Sequence, residues 1–389
     1  RPDPPLAKIQ RWLFKHRTLT IVLFAFIIIV ALGSNMINLH YQQQAENDRR
    51  LEEERQKETA RQREKDIETQ NRLREESIIH LINSVVAQSQ SIDRAFLEYL
   101  SLLNSLAGTA EFALSRSAKV QSFYRNADYL SRKQSPSDVK QSKYYGKEIS
   151  IKHPVIKLAP GVEQDENIQR IHQLISLSST FQKTVLKSSS SSQDIWSPEK
   201  AETVFYQEGA PIVWAFVGTE EGIHCAYPGK GGYDAGYDPR LRPWYQQAKG
   251  LFRAYCGEPY QDAMGQGLLI SCSQSLYSTA GDLLGVAGID FSFQYIVDAL
   301  LPMPLIKAEE ALIVDGKGNV LLSTNRKSDV KAKKFSVSRV VKAIQEGRSG
   351  YFIEWSVQGE RMIVYQKIES LDWFYIVSGS TENLLLPMD

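Results

Sequence analysis

From Thr18 to Leu39 the chain carries no charged residue, and Leu19 to Leu32 is almost wholly aliphatic or Phe. About twenty such residues cross a hydrocarbon core as a helix, so one transmembrane helix is predicted over 18–39. A signal peptide and a buried core helix are the alternatives. Neither suits a run that lacks a small-residue cleavage site and leads into a charged, nonglobular stretch. Lys8, Arg11, Lys15 and Arg17 precede the run, whereas the next Lys or Arg beyond it is Arg49. The positive-inside rule then puts residues 1–17 in the cytoplasm and the rest outside. No second apolar run of spanning length follows, which gives a single pass with the C-terminus out. Because the first residue is Arg1 and not Met, the chain reads as part of a longer polypeptide.

Beyond the span, residues 40–77 form a charged stalk. Tyr41 to Ser77 is rich in Glu, Arg, Lys and Gln with no Gly or Pro, a composition of high helix propensity with many possible i,i+4 ion pairs. A heptad seam then begins: Ile78, Val85, Ile92, Tyr99, Leu106 and Ala113, with Ile82, Phe96, Leu103 and Ala110 as companions. One helix from Tyr41 to Ser115 would run about 110 Å. Its apolar stripe needs a partner, either a globular domain, a second subunit or both, and a homodimer through this helix is expected.

The net charge of +1 over 389 residues gives no global footprint for nucleic acid. Three cysteines, Cys225, Cys256 and Cys272, are too few for a disulfide scaffold, and their lack of C-x-x-C spacing speaks against structural zinc. His224 beside Cys225 has no second His at ligand spacing and no catalytic signature around it. No cofactor, metal or catalytic residue is expected. Cys256 and Cys272 fall on strands that should be neighbours, so a bridge between them is left open.

The period then switches to strands. A helix at Asn167–Leu186 and a loop at Ser188–Ser192 are followed by strands at Pro211–Val217, Ile223–Tyr227, Leu251–Tyr260, Gly267–Leu276 and Leu283–Asp290, with a turn at Asp262–Gln266. After Phe291–Leu301 come Ala311–Val314, Val320–Ser323, Tyr351–Ser356, Arg361–Ile368 and Trp373–Ser378, with a helix at Ser336–Glu346 and a hairpin signal at Asp315–Asn319. Trp355 and Trp373 read as core or interface. The fold class predicted is α+β: a long N-terminal helix followed by two tandem modules, each with a five-stranded antiparallel sheet. The distal module with its helix takes 78–300 and the proximal module 301–389.

Inserted after the second distal strand is Tyr237-Asp238-Pro239-Arg240-Leu241-Arg242-Pro243-Trp244-Tyr245. It sets two guanidiniums among three aromatics between two prolines. Arg offers a planar fork that can hold a carboxylate bidentately, and the prolines fix φ on either side of it. A solvated surface turn is the plainer reading. Similar alternatives stand for its neighbours: Asp262 as a turn residue, Tyr245 and Tyr260 as core edges, Arg240 as partner of Asp238, and Asp290 as N-cap of the Phe-rich helix after it.

A membrane-anchored long helix leading to two such modules resembles the double Cache sensor domain found outside bacterial chemoreceptors, histidine kinases and other signalling receptors. The resemblance covers about Ile78 to Ser380. Its most specific part is Y-x-x-x-x-R-x-W-Y, met by Tyr237, Arg242, Trp244 and Tyr245, then P-Y-x-D, met by Pro259, Tyr260 and Asp262, then a strand-end aspartate, met by Asp290. In amino-acid-binding members the Arg and Trp hold the ligand's carboxylate, and the Tyr and Asp residues hold its ammonium. The resemblance therefore implies an extracytoplasmic (periplasmic) sensor in the inner membrane that binds a small amino acid through Tyr237, Arg242, Trp244, Tyr245, Tyr260, Asp262 and Asp290. The chemistry agrees: a zwitterion needs a fixed cation facing a fixed anion, and Arg242 and Asp290 can supply them. Most such receptors place their output domain after the sensor and a second span; with no such span here, the resemblance puts the expected output domain before Arg1, in the cytoplasm, with a protein kinase as the leading expectation. A structural, adhesion or protein-partner-binding subunit with a vestigial pocket, or a sensor of amines or small carboxylates, is the rival.

Overall fold

The computed structural model describes residues 4–189, 197–262, 267–304, 306–325, 333–357 and 359–385. The last three positions of the loop expected at Ser188–Ser192, and the last four of the turn at Asp262–Gln266, lie outside the described residues. Contacts divide the chain into Arg1–Glu76 and Ser77–Asp389. In the first unit, helix α1 (Pro5–Lys15) is followed after His16 by the start of helix α2 (Arg17–Leu114). Among the described residues α2 alone is long and apolar enough to cross a membrane, and its side chains over 18–39 are almost all exposed. The stalk carries i,i+4 bridges such as Glu46–Arg50 and Arg72–Glu76, which suit a solvated helix.

In the second unit α2 becomes a core element. Leu81, Val85, Ile92, Phe96, Tyr99, Leu103, Leu106 and Ala110 are buried, whereas Ile78, Ile82 and Ala113 are only partly so. The expected seam is therefore real and shifts in its outer turns, as a 3.6-residue period drifts against a seven-residue repeat. Phe96 packs on Phe291 at 5.6 Å and on Trp373 at 5.9 Å between ring centroids, so one α2 side chain touches both sheets' strands. Polar ties repeat this: Ser89 donates to the Lys367 carbonyl, and Glu111 accepts from the Tyr277 amide.

The larger sheet is built from β1 (Tyr124–Arg125), β4 (Val155–Leu158), β5 (Ile212–Thr219), β6 (Ile223–Tyr227), β7 (Tyr255–Cys256), β8 (Tyr260–Gln261), β9 (Leu268–Tyr277) and β10 (Leu283–Ser292), while β2 (Lys140–Gln141) and β3 (Glu148–Ile149) form a separate ribbon. Its order is β1-β4-β6-β5-β10-β9-β7, with β8 also on β9. Three expectations are corrected here. The sheet has eight strands and not five, because β1 and β4 add to the β6 edge, β1 in parallel. The strand expected at Leu251–Tyr260 is two short pieces, β7 and β8, that pair with β9 on either side of Gly257–Pro259. The helix expected at Asn167–Leu186 is two, α3 (Ile168–Ile175) and α4 (Ser178–Ser188).

Strand β5 is buried at all eight positions, since α4 covers one face, beside α3 on β6, and the inserted segment covers the other. Successive side chains alternate between those faces. A short helix α5 (Pro198–Thr203) and helix α6 (Pro243–Ala248) complete this region before α7 (Phe293–Tyr295) leads away from β10.

The second sheet has order β13-β12-β11-β16-β15-β14, from β11 (Glu310–Asp315), β12 (Asn319–Ser323), β13 (Lys333–Lys334), β14 (Gly350–Ser356), β15 (Gly359–Ile368) and β16 (Trp373–Ser380), with α8 (Ser338–Gln345) packed on it and α9 (Thr381–Leu384) after it. The edge pair β13 makes six strands where five were expected. Trp373 is core, but Trp355 is 78% exposed on the edge strand, so of the two readings expected for Trp355, core or interface, the core one is corrected.

Candidate functional site

The sheet face carrying the inserted segment holds Trp214, Phe216 and Gly218 of β5, His224 and Ala226 of β6, Ser271 of β9, and Gly288 and Asp290 of β10. Register fixes this set: Asp290 stands opposite both Trp214 and Ser271, Gly288 opposite Phe216, and Gly218 opposite His224. Two glycines make the face usable. A Cβ at Gly288 would run into the Phe216 ring, and one at Gly218 would lie 2.7 Å from Trp244 and 2.9 Å from Pro239. The inserted segment can therefore lie directly on the sheet.

That segment folds as expected of its prolines. A 3-10 turn at Pro239–Leu241 is capped by Asp238, and Arg242, in extended conformation, is the N-cap residue of α6 with Pro243 at its first turn. Trp244 is buried, 4.6 Å from Phe216 between ring centroids. The Arg242 guanidinium lies 5.8 Å from the ring centroids of both Tyr237 and Tyr260, and among the described residues no carboxylate bridges to it. Arg240 instead turns away, bonding Asp238 at 2.7 Å and the Glu220 carbonyl at 3.3 Å.

Across the cavity Asp290 is buried and accepts hydrogen bonds from Ser271 and, at 3.2 Å, from the Tyr260 phenol. Burial pushes its carboxyl up to about 7; Ser271 opposes this, Asp262 adds to it, and Lys230 and Tyr260 oppose it. The expectation that Asp290 caps a helix is corrected: β10 continues to Ser292, and the Ser292 side chain caps α7.

One cavity is lined by Tyr237, Arg242, Trp244, Tyr260, Asp262 and Asp290. Six of the seven residues singled out in the sequence thus converge. Tyr245 does not line it: its side chain is fully buried on the other side of α6, and its hydroxyl donates to Glu220, which also bridges to Lys249. A helical step of one residue turns Tyr245 about 100° from Trp244, which is why adjacent aromatics part company.

Sequence reasoning missed the rest of the lining: Trp214, Phe216, His224, Ala226, Lys230 and Tyr233. Strand alternation would have given Trp214, Phe216 and His224 once the face of Asp290 was known. His224 is neutral, held down to about 3 by burial and then by Lys230 and Arg242, with the phenols of Tyr233 and Tyr237 at 3.4 and 3.5 Å from Nε2. No His, Cys, Asp and Glu cluster fit for a metal occurs among the described residues. The cavity is small, about 20 Å³, roughly the room of one water. Anything larger enters only if the α6 segment or a long side chain gives way.

Cys256 and Cys272, opposite each other on β7 and β9, form a disulfide, and Cys225 is free and buried. Disulfides persist in oxidising compartments. The bridge ties down the loop that brings Tyr260 and Asp262 to the cavity.

No family model matches the chain. It is similar in sequence to the methyl-accepting chemotaxis protein PctB of Pseudomonas aeruginosa, 26% identical over 188 residues, which is 47% of this chain and 29% of PctB. It is also 34% identical over 93 residues to the methyl-accepting chemotaxis protein McpA of Pseudomonas putida, 24% of this chain and 14% of McpA. The chain thus spans less than a third of the length of these curated relatives. Among solved structures, the ligand-binding domain of the Pseudomonas fluorescens chemoreceptor CtaA in complex with L-isoleucine aligns over 80% of this chain and 95% of that one, with 15% identity and a TM-score of 0.47. The resemblance expected from the residues, to a class that includes bacterial chemoreceptors, is met by sequence relatives that are methyl-accepting chemotaxis proteins.

Proposed function

We propose that this chain is the sensor region and membrane anchor of a single-pass signalling receptor, and that it binds a small amino acid in the cavity on its larger sheet. One observation carries the reading: the guanidinium of Arg242 and the carboxyl of Asp290 line a single buried, aromatic-walled cavity. An α-amino acid carries both opposite charges, so each wall offers what one end of the ligand needs. Arg242 and Trp244 take the carboxylate; Asp290, with Tyr260 and Asp262, takes the ammonium; Tyr237 closes the wall between. Tyr245 acts as scaffold. The sequence relatives, both chemotaxis receptors, support the receptor class.

In this reading residues 1–17 are cytoplasmic, 18–39 span the inner membrane, 40–77 are the stalk, 78–300 form the ligand-binding module and 301–389 the membrane-proximal one. The disulfide suits a periplasmic location. Ligand enters as the α6 segment or a long side chain gives way, which resets the segment against the sheet, and α2, which packs on both sheets through Phe96, shifts in a homodimer. It thereby biases an output domain on the cytoplasmic side, for which a protein kinase is the expectation. A ligand moves such an equilibrium only by its differential affinity for the two states.

The test is thermal unfolding of the purified chain against the common amino acids, amines and carboxylates. At a hundredfold excess over Kd the cognate ligand should stabilise by about 2.7 kcal/mol. Silence towards every amino acid would favour the structural or adhesion subunit.

A further inference from the structure

The amino-acid reading leaves one charged side chain of the cavity without a task. Lys230 is 1% exposed and ranks among the largest fully buried side chains. Its loop is held rigidly. The backbones of Gly229 and Ser150 exchange hydrogen bonds of 2.9 and 2.8 Å, a Cβ at Gly229 would overlap the Tyr129 hydroxyl and the His153 carbonyl, and Gly232 sits at φ 100°. The ammonium that this loop presents stands 2.8 Å from the centroid of the Trp214 ring and 5.4 Å from that of Tyr233. Among the described residues it makes no hydrogen bond and no ion pair within 4 Å. Trp214, in the same lining, also buries its Nε1 without an acceptor.

Two cations therefore hold different aromatic walls: Arg242 at Tyr237 and Tyr260, Lys230 at Trp214 and Tyr233. Against them stand two carboxylates. Asp290 is engaged by Ser271 and Tyr260, and Asp262 acts on the half-buried Lys147 as well as on Lys230. Lys147 stands outside the lining, so two cations and two acids meet in the cavity, and one of those acids is shared with Lys147. A monocarboxylic amino acid, neutral overall, brings Lys230 no anion of its own, and a buried charge without a partner is costly. A second carboxylate on the ligand supplies one.

We propose that Lys230 determines specificity in this cavity, selecting an α-amino acid whose side chain bears a second carboxylate; the proposal rests on the amino-acid reading above. Burial lowers the Lys230 ammonium well below its ordinary range, and an incoming carboxylate would restore it. The long lysine stem is also the element that can withdraw to make room in so small a cavity.

Isothermal titration of the full chain in detergent, with L-aspartate, L-glutamate, L-asparagine, L-glutamine and L-alanine, tests this. The wild type should take at least one acidic amino acid about tenfold or more tighter than its isosteric amide. In Lys230→Met that ratio should fall to about threefold or less while alanine changes little, and Lys230→Gln should do the same if Met packs badly. Amides or alanine binding as tightly as the acids to the wild type would overturn the assignment of Lys230 and leave the amino-acid reading standing. So would an equal change for every ligand in both variants. No heat with any of the five would overturn the assignment of Lys230, and silence towards every other common amino acid as well would overturn the amino-acid reading with it.

Discussion

Asp290 of β10 lies directly across from Trp214 of β5, so the carboxyl shares a sheet face with an indole and is buried among aromatic side chains. Tyr260 and Ser271 are the only hydroxyls bonded to it among the described residues. Desolvation wins over those two bonds and over Lys230, and the group titrates near 7, well above an ordinary Asp.

The first prediction follows from that value. A ligand ammonium needs the ionised carboxylate, so binding below about pH 7 should release a proton, and affinity should fall about tenfold from pH 8 to pH 6. For the empty protein the sign is opposite to that of a salt-bridged Asp. A raised carboxyl pKa means the folded state holds the proton more firmly. This group's cost to folding is therefore full above about 7 and relieved as pH falls towards 4. Asp290→Asn should remove both dependences, and titration in buffers of different ionisation enthalpy measures the proton directly. A flat pH profile in the wild type would contradict the burial argument.

Two arginines two residues apart should behave differently. Arg242 faces the cavity without an acid partner among the described residues, whereas Arg240 is held by Asp238 and the Glu220 carbonyl. Arg242→Ala removes one side of a desolvated charge pair, a loss of about 3–5 kcal/mol, and should weaken ligand binding at least a hundredfold. Arg240→Ala loses a partly exposed pair and should cost less than about 1 kcal/mol of stability, with affinity reduced less than about tenfold. Equal effects in a binding titration would mean that the roles are wrongly divided.

Gly218 is where the inserted segment meets the sheet. In Gly218→Ala the new Cβ would press on Trp244 at 2.7 Å and Pro239 at 2.9 Å, both anchored in that segment. Overpacking of this kind typically costs about 1–3 kcal/mol. Here it should also lift Arg242 and Trp244 from the cavity. The expected result is a lower melting temperature together with weaker binding. A variant that melts earlier but binds normally would separate the segment's packing from its role in the site.

How much of this was legible beforehand depends on the kind of signal. Apolar periodicity gave the buried part of the long helix and the longer strands of both sheets, because burial of one face writes a period of 3.6 or 2 into the sequence. β1, β4 and β13 escaped because strands of two or four residues are too short to show a period, and β7 and β8 were merged although Gly257 and Pro259 mark the break between them, because each piece is only two residues long. In the site, Arg242, Trp244, Tyr260 and Asp290 were legible from their local motifs. Tyr245 was misread because helix rotation, and not adjacency, decides which aromatic faces the cavity. Lys230 left only a faint trace, a lysine amid the glycines of Pro228–Gly232, since the loop that carries it is placed by the approach of Gly229 and Gly231 to Tyr129, Leu130 and Ser150, far away in sequence.

The disulfide supports the last prediction. Cys256 and Cys272 are separated by 16 positions, and the loop they close contains Tyr260 and Asp262. In the chain-entropy picture a closed loop of about this size stabilises by about 3 kcal/mol. The double replacement of Cys256 and Cys272 by Ser should therefore lower the denaturant midpoint, and loosening of Tyr260 and Asp262 should weaken ligand binding with it. Reductant should reproduce both effects in the wild type and have none on the double variant. Thiol labelling supplies the control: Cys225 is buried and burial raises its thiol pKa, so the native oxidised protein should label at no site and the reduced protein at two. Binding that persists unchanged after reduction would show that β8 and β9 hold the loop by their own pairing, and that the bridge serves stability alone.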